Sequence, residues 1–247
     1  MRFVKTTPKL LISLLILSLC CLARDRNLKP DPLTYVGPGA WSNESISLFN
    51  EFGGFGPDSG REASFYSPDR KKLVRIHSEA VTIEIEGKQY LTDFWAKSSA
   101  ELGWAPDSSR FFLTWTEGGA TGDWHVGVYD VSPDGIHEIT GVEDGPRKDF
   151  DRLIRSLPIP KDQLKGTPRH FWNISQYCYP NVVASQWLNG ANELLVSVLV
   201  PEVGDCRYSS EFNVYRVAIP SGHILQKYTA REAHKRFNRD NLPLITR

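Results

Sequence analysis

Two short runs concentrate the side chains that could do chemistry. One is Asp123-Trp124-His125 and the other is Arg169-His170-Phe171-Trp172. Aromatic and arginine side chains on loops are common interaction anchors, because they bring large contact area and directional polar groups together. Trp124, His125, Arg169, His170 and Trp172 are therefore the candidate binding residues. The competing reading is that Trp124 and Trp172 cover the ends of a core.

No catalytic residue is assigned. The histidines stand at 77, 125, 137, 170, 223 and 234, with no HExxH and no pair at metal-ligand spacing. A G-x-S-x-G nucleophile elbow is missing from the sequence. The string Asp130 to Gly135 has some spacing of a calcium loop, but its twelfth position is Gly141, where a closing carboxylate is required. Glu84 and Glu86 share one face of an alternating strand, the solvent face opposite Val81, Ile83 and Ile85. No metal or cofactor is expected.

Export sets the context. Arg2, Lys5 and Lys9 precede the apolar run Leu10 to Leu22, which is shorter than the roughly 20 residues of a spanning helix. Residues 1–23 read as a signal peptide cut near Ala23, giving a secreted or periplasmic protein with no membrane span after cleavage. The rivals are an uncleaved anchor and a lipoprotein anchor on Cys20 or Cys21. Leu19 and Cys20 precede those cysteines where a lipobox wants a small residue. Over the whole chain 29 cations balance 29 anions, so loss of Arg2, Lys5 and Lys9 leaves a net charge of −3. With no block of like charge and no basic surplus, nucleic acid is not an expected partner.

The remaining length, roughly 220 residues, suits one all-β domain with an insertion. Three segments share an ungapped pattern of aromatic residue, tight turn and apolar strand. They are Tyr66-Ser67-Pro68-Asp69 into Leu73-Val74, Trp104-Ala105-Pro106-Asp107 into Phe111-Phe112-Leu113, and Trp187-Leu188-Asn189-Gly190 into Leu194-Leu195-Val196. Tyr66 and Trp104 are 38 residues apart, close to the blade length of about 40 found in common propellers. The second unit continues through the Glu117 to Asp123 loop to Trp124–Val131, then turns at Ser132-Pro133-Asp134-Gly135.

These blade-like units resemble those of WD-repeat and Tol-type propellers, chiefly the periplasmic Tol propeller and prolyl-oligopeptidase-type propellers. Ser67-Pro68-Asp69 and Ala105-Pro106-Asp107 match the Ser-Pro-Asp turn of those families, and Leu188-Asn189-Gly190 matches it loosely. The resemblance covers roughly residues 62–141 and 182–228 and implies antiparallel blade-like sheets there. Closed propellers use typically 4 to 8 blades and three are countable here. The catalytic hydrolase half of the oligopeptidases has no counterpart, so none of that activity carries over.

Residues 24–61 read as a loop-rich N-terminal segment, and 62–247 as the blade-like domain with an insertion at 143–181. In the insertion Phe150, Leu153, Ile154 and Leu157 form a helix face, with Asp149 as its cap and Pro158 as its stop. Thr229 and Glu232 have capping-box spacing for a short C-terminal helix. The expected fold class is all-β, with antiparallel blade-like sheets (an incomplete or small propeller) and these two helical pieces. The expected function is non-enzymatic contact with a protein or cell-envelope partner, the alternative being a small hydrolase or carbohydrate-active protein working through the insertion loops. Asn43 and Asn173 head glycosylation sequons.

In an oxidising compartment the even pair Cys178 and Cys206 favours a disulfide over two buried thiols. Closing that 28-residue loop is worth about 3 kcal/mol through restriction of the unfolded chain. Mass spectrometry of unreduced peptides from the exported protein should find the two joined; two alkylatable thiols would refute the pairing.

Overall fold

Strand formation follows from residue type. Val, Ile, Phe, Tyr and Trp fill the segments between turns, and β-branched and aromatic side chains fit a pleated, packed surface. A computed structural model describes residues 42, 45–47, 62–77, 80–95, 99–116, 123–157, 179–200 and 211–237. It is an all-β fold of three antiparallel sheets with two short helices. The first sheet is a meander of β2 (Glu62–Tyr66), β3 (Lys72–His77), β4 (Ala80–Ile85) and β5 (Lys88–Trp95). The middle sheet runs β6 (Ser99–Trp104), β7 (Arg110–Thr116), β8 (Trp124–Ser132) and β9 (Gly135–Ile139). The third runs β10 (Asn181–Leu188), β11 (Glu193–Leu199), β12 (Phe212–Ala218) and β13 (Ile224–Thr229). Each blade-like unit of the sequence is thus one four-stranded meander.

The repeated Pro-Asp turn is the same object twice. Arg70 N–H donates to Ser67 O and Ser108 N–H to Ala105 O, at 2.8 and 2.9 Å. Arg70 and Ser108 both take left-handed backbone, with φ of 60° and 62°. Asp69 and Asp107 each accept from a main-chain N–H two residues on, the usual way an Asx side chain holds a turn. The third turn differs as its sequence does: Asn189 and Gly190 are consecutively left-handed, a conformation these two residue types tolerate best.

The sheets stack, with the middle one buried on both faces. Toward the first sheet it sends Leu102, Phe111, Leu113, Tyr129 and Val131 against Val74, Ile83 and Ile85. Toward the third it sends Phe112, Val126 and Val128 against Val182, Ala184, Trp187, Val196 and Tyr215. The far face of the third sheet holds Leu195, Phe212, Val214 and Tyr228, and helix α2 (Ala230–Arg236) covers them. That helix starts with the expected reciprocal capping box between Thr229 and Glu232. On the far face of the first sheet Tyr66 and Arg75 are exposed and Glu84 partly so, beside buried Leu73, and Arg75 pairs with Glu84. Among the described residues the stack is open and does not close into a ring.

Polar ties fix how the sheets sit. Trp187 Nε1 donates to Gly103 O at 3.0 Å, and Arg110 Nη1 to Ala191 O at 2.8 Å. A bulge between Ala184 and Gln186 interrupts the ladder, and there Ala184 N–H turns to Thr114 Oγ1 at 3.1 Å. Asp69 N–H donates to Ser108 Oγ, tying the first two turns together.

Three sequence readings change. The N-terminal segment read as loop supplies β1 (Ile46–Ser47), a fifth strand on the inner edge of the middle sheet. Ser45, buried beside it, meets the buried carboxylate of Glu101. Helix α1 spans Asp144–Ser156, so Asp149 lies inside it rather than at its cap, and its carboxylate accepts from Tyr215 and Lys227. The apolar stripe that marks the helix begins only at Phe150, because Pro146 and Arg147 occupy its first buried positions. Glu86 is a turn residue with φ 51°, not a strand residue paired in face with Glu84. The sequon positions Asn43 and Asn173 and the expected helix stop at Pro158 lie outside the described residues.

Gly103 sits opposite Phe112 in the β6–β7 ladder, and the ring lies over the bare backbone. A Cβ there would come within 2.2 Å of Phe112 Cζ, in a core with no space to give. Gly103→Ala is expected to cost about 1–3 kcal/mol by overpacking. Denaturant titration should show a lower midpoint at unchanged slope; equal midpoints would mean the ring is not confined as described.

Candidate functional site

The site is built where β8 outruns its neighbour. β9 pairs with Val128 to Ser132 and does not reach Trp124, His125 and Val126. Buried main-chain groups need partners, and helix α1 delivers them as side chains. Glu143 Oε2 accepts from Val126 N–H at 2.8 Å, and Arg147 Nη2 donates to Trp124 O at 3.2 Å. The carboxylate and guanidinium also meet each other, one helical turn apart, in the Glu-before-Arg order that the helix dipole favours.

Around this pair the other groups converge. His125 Nδ1 lies 3.0 Å from Glu143 Oε1 and 3.3 Å from Arg147 Nη2. The imidazole stacks on half-buried Trp115, with ring centroids 5.6 Å apart and planes 27° apart. Arg147 donates through Nη1 to Pro180 O at 2.9 Å and lies 4.3 Å from the Tyr179 ring centre. Asn181 Oδ1 accepts from Trp124 N–H at 3.1 Å. Arg147 is 7% exposed, Glu143 20% and His125 33%. The cation is therefore inside and the imidazole at the rim, beside Tyr179, which is 42% exposed.

Burial by itself would raise the Glu143 carboxyl. The hydrogen bond from His125, the Arg147 charge and the Val126 N–H outweigh it and hold the carboxyl below its ordinary value. Glu143 is thus an anion whose contacts are all donors. Opposite the site across α1, Asp149 is also held low: desolvation opposes ionisation, and hydrogen bonds from Lys227 and Tyr215 prevail. Burial first of all, with the Asp149 charge beside it, drives the Tyr215 hydroxyl far above its usual value.

Of the residues singled out in the sequence, Trp124 and His125 fall at this site. Trp124 is 5% exposed, and its main chain rather than its ring joins the cluster. His125 is the accessible member. Arg169, His170, Trp172, Cys178 and Cys206 lie outside the described residues. Trp115, Glu143, Arg147, Tyr179 and Asn181 were not singled out. The spacing of Glu143 and Arg147 was a usable signal, but only for a helix already known to begin before Phe150. Among the described residues no His, Cys, Asp and Glu cluster is arranged to hold a metal ion, and no helix is long and apolar enough to cross a membrane. No family model, no curated protein and no solved structure matches this chain.

The chemistry available is a fixed imidazole with a carboxylate behind it and an aromatic wall beside it. That arrangement can accept or donate one proton, or anchor a partner through stacking and a single hydrogen bond.

Linkage gives a test of the ion pair. Glu143 has a folded value below its unfolded one, so it contributes stability above the ordinary value of 4.5 and loses it as pH falls through the folded value. Arg147→Met should cost about 3 kcal/mol at pH 7 by leaving a largely buried carboxylate without its cation. The difference from the parent should then shrink as pH falls below the ordinary carboxylate range. Thermal melts from neutral to acid pH check this; a gap independent of pH would show that charge is not what Arg147 supplies.

Proposed function

We propose that this chain is an exported, non-enzymatic binding module that engages a protein or cell-envelope partner through the rim formed by Trp115, His125 and Tyr179. Export rests on the apolar run Leu10 to Leu22 behind three cations. The single observation that carries the binding reading is the Glu143–Arg147 pair. It holds one imidazole and one tyrosine, both partly exposed, against rigid strand and helix. Anchors already fixed in place lose little entropy on binding, which is what a recognition surface requires. The propeller likeness of the three meanders agrees with such a role without specifying a partner.

A second reading is favoured by one distance. Glu143 Oε1 stands 3.0 Å from His125 Nδ1, the orienter-to-base contact of general-base chemistry. Saturable hydrolysis by the exported protein, lost in His125→Gln, would overturn the binding reading in favour of a small hydrolase.

Photo-crosslinking in exporting cells tests the binding reading directly. A crosslinking residue at 125 or 179 should yield a discrete adduct, whereas one at exposed Glu138 on β9 should not. Adducts at 138 alone, or none at the rim while the protein is exported and folded, would sink it.

A further inference from the structure

This inference rests on that rim being the working surface. We infer that Glu143 and Arg147 lock His125 in its Nδ1–H tautomer, so that the site presents Nε2 as a bare lone pair and takes a neutral hydrogen-bond donor, a hydroxyl or amide N–H.

Hydrogens are scarce around Arg147. Each terminal nitrogen of a guanidinium carries two hydrogens and no lone pair. Arg147 Nη2 faces three groups: Glu143 Oε1, Trp124 O at 3.2 Å and His125 Nδ1 at 3.3 Å. Two hydrogens thus serve three groups, and Nδ1, at the longest distance of the three, can at most share one with an oxygen. A shared hydrogen satisfies Nδ1 poorly as an acceptor.

Glu143 closes the alternative. Its ionised carboxylate has no hydrogen to give, and Oε2 is engaged by Val126 N–H at 2.8 Å. The 3.0 Å contact between Oε1 and Nδ1 is a hydrogen bond only if Nδ1 carries the proton. With Nδ1 bare, its lone pair would face an anionic oxygen at that distance, with only a shared hydrogen of Arg147 to offset the repulsion. A neutral imidazole protonated at Nδ1 is unprotonated at Nε2. Among the described residues Nε2 has no hydrogen-bond partner, and a third of the side chain is open to solvent. Trp115 stacked on one face keeps the ring plane fixed. A partner carbonyl brought to Nε2 would meet lone pair with lone pair, so the same geometry that welcomes a donor rejects an acceptor. Glu143 acts here as a positioning residue.

Two-bond ¹H–¹⁵N correlation of imidazole-labelled protein, recorded at alkaline pH and assigned by loss of the signal in His125→Gln, tests this. The parent should show Nδ1 in the protonated and Nε2 in the unprotonated shift range. Glu143→Gln should move the proton toward Nε2, a change that mere loss of packing would not produce. A parent spectrum with Nε2 protonated, or with both nitrogens averaged, overturns the inference even if Glu143→Gln does not fold. An unchanged tautomer in a folded Glu143→Gln overturns the role of Glu143. Because the spectrum is taken without any partner, its result is separable from the crosslinking result.

Discussion

A sheet buried on both faces is the constraint on which this molecule depends. Phe111, Phe112, Leu113 and Thr114 are consecutive in β7 and all four are buried, so neither face of the middle sheet can meet water. Each face needs another layer. The first sheet supplies one through Val74, Ile83 and Ile85. The third supplies the other but is itself apolar on both sides, as the run Leu194 to Val198 in β11 shows. Its far face then needs helix α2. The stack thus ends in a polar sheet face on one side and a capped helix on the other, as terminal units of repeat arrays do.

That termination bears on the propeller likeness. A blade inside a closed ring has two blade neighbours, and each of its faces is apolar. Among the described residues only the middle sheet has two sheet neighbours. Tyr66, Arg75 and Glu84 give the first sheet a face suited to solvent, and Ala233 with Phe237 occupies the place a further blade would take beside the third. Blade-like hairpins and a blade-like turn are therefore compatible with an open stack of three.

The candidate site follows from the same economy. β9 pairs with Val128 to Ser132, and beyond that stretch Glu143, at the N-cap of α1, and Arg147, within it, engage the main chain of Val126 and Trp124. Two charged side chains thus serve the main chain of two strand residues. Their mutual attraction and the hydrogen bonds each makes offset part of the cost of taking them out of water, while Arg147 Nε is buried with no hydrogen-bond partner among the described residues. That pair contacts both His125 and Tyr179 at the rim, where the stack on Trp115 also holds His125.

Much of the fold was legible in the residues. Repeated aromatic, Pro-Asp and apolar runs marked three hairpins, period-2 alternation marked β4, and Thr229 with Glu232 marked α2, because each signal is local to a few residues. The site was legible only at Trp124 and His125. Glu143 and Arg147 looked like ordinary helix charges, since nothing in a linear sequence says that β9 stops at Ile139 and does not reach Val126. Likewise Ile46–Ser47 carried too short a pattern to read as a strand, and its pairing with Leu102 and Glu101 spans more than fifty positions. Local residue type by itself determined where strands, turns and caps form. Which faces are covered, where the ladder ends and which charges are buried were decided only by tertiary packing, because those depend on partners distant in the chain.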